Sequence, residues 1–217
     1  MAKLLAVGAP VGVRWVVDIA GWALLTTMLA RLGKAELAAN QIAIRVVSLS
    51  FLPGYGIGEA ACILVGQYVG ARDEPAARRA YTSAMALCTA LMGACALFFL
   101  ALPELVIGLF SQDAEVIRIG CQLLFWAAIF QLGDAVAMVG MGALNGTGDT
   151  RFVMLLSIAG SWLVLVPLGL LFGTVLGMGA VGVWLAISAE ITVRATFVTV
   201  RWLGSGWRDK LVVTAAA

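Results

Sequence analysis

The chain has 217 residues, 62% of them hydrophobic and only 12% charged, with a formal net charge of +2. A soluble domain carries about 45–50% apolar and about 25% charged residues, so the apolar excess here must face lipid and not a soluble core. Membrane-crossing helices of roughly 20 apolar residues each take up this length and leave no room within it for a soluble domain.

In chain order, the apolar stretches are separated by charges and turn residues. Met1 to Ala20 resembles a signal peptide only superficially: Arg14 and Asp18 interrupt the apolar run, which continues to Leu32. It therefore reads as a first span, over about 7–30. A second apolar stretch covers about 37–69, longer than one crossing needs, and Pro53 with Gly54, Gly56 and Gly58 after it predicts a kink. Further spans are expected over about 80–102, 117–144, 152–171 and 180–203, with a short helix between Pro103 and Asp113. The run Asn145-Gly146-Thr147-Gly148-Asp149 is a strong turn signal. The expected fold class is all-α: a polytopic membrane protein with a bundle of six transmembrane helices forming one lobe. Barrel strands would alternate apolar and polar residues, and neither Leu91–Leu102 nor Leu163–Leu171 does so.

Orientation follows from loop charge. Lys3, Arg72, Arg78, Arg79, Arg151, Arg201, Arg208 and Lys210 fall on one side, and Arg31, Lys34 and Arg118 on the other. Both termini are therefore expected on the cytoplasmic side. Trp202 and Trp207 suit the interface at the end of the last helix.

Several chemistries are excluded. The chain has no histidine, so a histidine triad, a histidine-ligated zinc site and a histidine proton relay are ruled out. Cys62, Cys88, Cys95 and Cys121 lie in apolar segments without metal-ligand spacing and read as small buried hydrophobes. No lysine follows Thr147-Gly148-Asp149-Thr150, so that loop is not a phosphate cradle. With no nucleophile–base pair either, neither an enzyme nor a bound cofactor is expected.

An ionisable side chain inside a span costs at least ~2.5–3.5 kcal/mol near the bilayer centre, and each one calls for an explanation. Glu190 and Arg194 are four apart on one helix, acid first, and read as a structural pair near the cytoplasmic end. Arg14 and Asp18 share that spacing with the base first. Arg45 and Glu59 flank Pro53 with no evident partner. Asp134 differs, since no base lies within four positions of it. Such an acid either faces water or stays protonated, and both states suit a residue that loads and releases a proton or a sodium ion. Its helix face continues through Gln131, Met138 and Met141, an adaptable apolar surface that suits a substrate cavity or a packed neighbour.

These pieces together resemble the second six-helix lobe of the MATE (multidrug and toxic compound extrusion) transporters, in the NorM-type branch. The resemblance is carried in order by Gly8-Ala9-Pro10 with Asp18, Ala38-Ala39-Asn40-Gln41-Ile42-Ala43 and Phe51-Leu52-Pro53. It continues through Val65-Gly66-Gln67, Leu123-Leu124-Phe125 to Asp134-Ala135-Val136, Gly146-Thr147-Gly148-Asp149-Thr150, Pro167 and Gly177, Gly179, Gly182 and Trp184. It implies proton- or sodium-coupled export of small cationic or aromatic compounds across a bacterial inner membrane. It also implies a cation site at Asp18 and Asp134. The sequence departs from the family pattern by having Asp18 for a longer glutamate and Phe130 for an aromatic hydroxyl. Losing that oxygen weakens a sodium site more than a proton site, which favours proton coupling. The family has two lobes, so a second one is expected from the rest of a longer chain, a separate half or a second copy. Related oligosaccharide-lipid flippases and a non-transporting membrane remnant are the competing readings.

Overall fold

The computed structural model describes residues 2–204, without the side chains of residues 2–11, 14, 22, 31 and 32. The readings placed on the Arg14 and Arg31 side chains and on Trp207, Arg208 and Lys210 lie outside the described residues. The helices are α1 (Ala2–Leu32), α2 (Lys34–Gly70), α3 (Glu74–Ala101), the short α4 (Pro103–Gly108) and α5 (Ala114–Gly146). They are followed by α6 (Thr150–Val175) and α7 (Gly179–Leu203). There is no strand among the described residues. Five helices, α2, α3, α5, α6 and α7, are long and apolar enough to cross a membrane, and α1 adds the shorter apolar segment Trp15–Ala30. The protein is thus an all-α polytopic membrane protein.

Helix starts follow local chemistry. Asp73 caps α3 by accepting a hydrogen bond from the Ala76 N–H at 2.9 Å, with Pro75 in the first turn where no N–H is needed. Asp113 caps α5 through the Glu115 N–H at 2.9 Å. The α5–α6 turn closes through Gly148 at φ 86°, a left-handed conformation that glycine adopts without penalty.

Helix α5 is the central post, packed against α2, α3 and α7. Its most apolar stretch is 61% buried against 22% for that of α3, so α3 presents most of its surface outward. Small residues bring α2 and α5 together. A Cβ on Gly142 would fall on the Gly58 carbonyl, and one on Gly146 on the Cys62 carbonyl. Of the glycine pairs on α2, Gly54, Gly58 and Gly66 meet α5 or its neighbours, whereas Gly70 faces open space.

The Ala38–Ala43 stretch seats α7. Ala39 and Ala43 are fully buried, and Asn40 Oδ1 accepts a hydrogen bond from the buried Trp184 indole at 2.8 Å. Glu36 accepts the Ala180 backbone N–H at 2.7 Å, holding the start of α7 against α2. Helix α2 continues through Pro53, which leaves the Leu49 carbonyl without its intrahelical donor.

Helix α6 is not uniform. It widens to π geometry over Gly160–Leu165 and again over Leu171–Val175, with Pro167 in the α-helical turn between. The wide turns shift hydrogen bonding by one residue: Val166 N–H donates to Ser161 O, and Leu176 N–H to Leu171 O at 2.9 Å. Such turns concentrate at functional positions.

Candidate functional site

Helices α1, α2, α5, α6 and α7 enclose a cavity of about 350 Å³. Four acids from four helices line it: Asp18 (α1), Glu59 (α2), Asp134 (α5) and Glu190 (α7). Arg194 is its one basic lining residue among the described residues. Trp15, Phe51, Tyr55, Phe130 and Trp184 supply aromatic walls, with Met138 and Met141 between.

Helical periodicity explains the α5 contribution. Phe130, Asp134, Met138, Met141 and Asn145 follow one another at intervals of three or four and fall on one stripe facing the cavity. Gln131, expected on this wall, is not there. One residue on from Phe130 turns it about 100° around the axis, into the α2 contact. It is fully buried, with Nε2 donating to Ser50 Oγ at 2.6 Å. Phe130 packs against Trp184 with ring centroids 5.9 Å apart. The buried Oδ1 of Asn145 has no hydrogen-bond partner among the described residues.

Asp18 reaches the cavity from α1, and its Oδ1 accepts a hydrogen bond from Ser161 Oγ at 3.1 Å. Ser161 lies in the first wide turn of α6, and its neighbour Gly160 abuts Glu190 Oε1 so closely that a Cβ there would collide with it. Glu190 and Arg194 are paired as their spacing predicts, Nε donating to Oε1 at 2.8 Å and Nη2 at 2.5 Å. Both also line the cavity. Glu59 lines it too, while Arg45 is exposed on another face of α2. A signal for Glu190 and Arg194 was present as two charges inside a span, but only the packing of α7 on α6 shows which way they point.

Asp18, Asp134, Glu190 and Arg194 thus share the wall of one cavity. Among the described residues, no three His, Cys, Asp or Glu side chains converge closely enough to hold one metal ion. The site therefore presents dispersed carboxyl groups in an aromatic and methionine-lined pocket, a setting that accommodates cations and flat apolar groups.

A family model for MatE matches residues 17–171, which carry Asp18, Asp134 and the whole α2–α5 core. The chain belongs to the MatE family. It is 34% identical to a protein of Pseudomonas putida described as a probable multidrug resistance protein NorM, covering all of this chain and 47% of that protein. It is 33% identical to a Brucella suis protein of the same description, covering 93% of this chain and 44% of that one. The crystal structure of the eukaryotic MATE transporter AtDTX14 superposes with a TM-score of 0.88 at 19% identity, over 97% of this chain and 48% of that one. The chain thus spans about half the length of the MatE relatives it matches.

Proposed function

We propose that this chain is one lobe of a cation-coupled exporter of small organic cations, with Asp18 and Asp134 as the coupling-cation site. The observation that carries the reading is that these two acids, from helices far apart in sequence, line one cavity with aromatic and methionine walls. Family membership and the descriptions of the relatives support multidrug transport. Phe130, Met138 and Met141 are the substrate-facing surface in this reading.

The coupling ion is a proton in preference to sodium. The wall position at Phe130 carries no oxygen, and among the described residues the dispersed carboxylates do not gather into a metal-chelating group, whereas a proton needs a single basic oxygen. No other cofactor is invoked. The working unit has two lobes, because alternating access rocks one bundle against another around a central site. The second lobe comes from the remainder of a longer chain, a separate half or a second copy. In this reading α1 is a sixth span, the membrane is the bacterial inner membrane, and both termini are cytoplasmic.

The flippase alternative calls for several basic residues around a phosphorylated lipid carrier, and the described cavity wall holds four acids and one arginine. A non-transporting remnant would remain a monomer in mild detergent and bind no organic cation.

The decisive experiment reconstitutes the two-lobe assembly in proteoliposomes and follows ethidium export driven by an imposed pH gradient. Asp134→Asn is expected to abolish export without reducing the folded protein in the membrane, and Asp18→Asn to weaken it. Export by Asp134→Asn at the wild-type rate, with the gradient still consumed, would overturn the site.

A further inference from the structure

The Glu190–Arg194 pair is placed unlike an ordinary helix-surface ion pair. An i,i+4 pair that only stabilised α7 would need nothing from neighbouring helices. Here a neighbouring helix makes room for it. Gly160, in the first wide turn of α6, has no side chain where the Glu190 carboxylate lies, and the next residue, Ser161, donates its hydroxyl to Asp18. One turn of α6 thus touches two of the acids at once. Glu190 is only 4% exposed, yet its partner Arg194 reaches the wall of the cavity that Asp134 also lines.

We propose that Glu190 and Arg194 are a working part of the cation site: Glu190 ties Asp18 and Asp134 into one electrically coupled unit, and Arg194 is its resident counter-cation. This inference rests on the reading of Asp18 and Asp134 as the coupling site. Neither residue needs to touch the transported ion. Glu190 and Arg194 are positioning residues that set how strongly the acids hold it. With all groups ionised, Asp18, Asp134 and Glu190 outweigh Arg194 and the unit is negative. An arriving cation then competes with Arg194 for the same field.

The charge logic gives opposite signs for the two single changes. Loss of Arg194 deepens the negative field at Asp134 and tightens its hold on a proton. Loss of Glu190 shallows that field and loosens the hold. Loss of both leaves the sum of charge as it was. The other ionisable groups facing Asp134 are Asp18 on α1, Tyr55 and Glu59 on α2 and Cys88 on α3. On α6, Ser161 faces the site without charge. All of these stay constant across the series.

The test uses the full chain in lipid nanodiscs and dicyclohexylcarbodiimide, which modifies protonated carboxyl groups in apolar surroundings. Mass spectrometry reads modification of Asp134 across a pH series. Arg194→Gln is expected to raise the proton affinity of Asp134 about tenfold and Glu190→Gln to lower it about tenfold, the scale of a nearby unit charge at intermediate dielectric. The double variant is expected within about threefold of wild type, and Arg194→Lys to track wild type. Single variants that shift together or not at all, while Asp134 still titrates, overturn this proposal and leave the coupling site standing. If the singles fail to fold, a double variant displaced tenfold or more overturns it equally. Wild-type Asp134 that is unmodified at every pH overturns the coupling-site reading, and this inference with it.

Discussion

Arg201, in the last turn of α7, donates from Nε to Asp149 Oδ2 at 2.8 Å, and the Asp149 side chain is completely buried at the α5–α6 turn. The guanidinium also lies over the Phe152 ring, 5.1 Å from its centroid. These contacts tie the end of α7 to the turn that joins α5 and α6. Tyr81 of α3 stacks on the adjacent Trp202 at 4.4 Å, so α3 is held at the same level. Asp149→Ala removes one acceptor from a partly buried guanidinium and is expected to cost ~2 kcal/mol, less than a fully buried pair because Arg201 retains some solvent access. Thermal unfolding in detergent, compared with Asp149→Ala/Arg201→Gln, checks this: the double variant should recover part of the loss.

The contact between α2 and α5 leaves no room for a side chain at Gly142. Gly142→Ala is expected to force the two backbones apart and cost about 1–3 kcal/mol, whereas Gly70→Ala, facing open space, should be neutral or slightly stabilising. Melting temperatures of the two variants should differ clearly. Equal temperatures would show that α2 and α5 do not pack at this distance.

Pro53 is expected to bend α2, because its ring presses on the preceding turn and the Leu49 carbonyl has no helical donor. Spin labels at Gln41 and Val69, on either side of the proline, should move farther apart in Pro53→Ala as the helix straightens. An unchanged distance distribution would show that the proline is accommodated without a bend.

Phe130 lies one helical turn before Asp134 on the same cavity-facing stripe. Phe130→Tyr adds an oxygen there, and a sodium ion requires several. Export by the assembled two-lobe unit is expected to gain a dependence on sodium while retaining its response to pH. Sodium-independent transport by the variant would show that the hydroxyl does not reach the cation.

Loop charge asks for the α2–α3 and α5–α6 turns on the cytoplasmic side and the α4–α5 connection on the other. Cysteines introduced at Asp73 and Gln112 should then respond oppositely to a membrane-impermeant thiol reagent applied to intact cells. Labelling of Asp73 from outside would invert the topology.

Apolar run length, the turn signals and the scarcity of charge together determined the all-α polytopic architecture, because a bilayer admits uninterrupted backbone hydrogen bonding only within helices or closed barrels. The order of short motifs likewise pointed to the family, and Asp134 stood out as an acid without a neighbouring base. The same one-dimensional reading put Gln131 on the cavity wall, since a spacing of three to Asp134 is as good a helical neighbour as four. Only the packing against α2 shows that this side of α5 is occupied by Ser50. Glu190 and Arg194 were visible as a pair but read as structural, because i,i+4 spacing fixes their contact with each other and says nothing about what their helix faces. That depends on α6, whose wide turn at Gly160 and Ser161 has no periodic signature in sequence. Spacing along a helix thus determined which residues share a stripe, and the tertiary structure decided what each stripe meets. Helix rotation and depth are set by contacts between segments more than a hundred residues apart, such as Glu36 with Ala180 and Asn40 with Trp184.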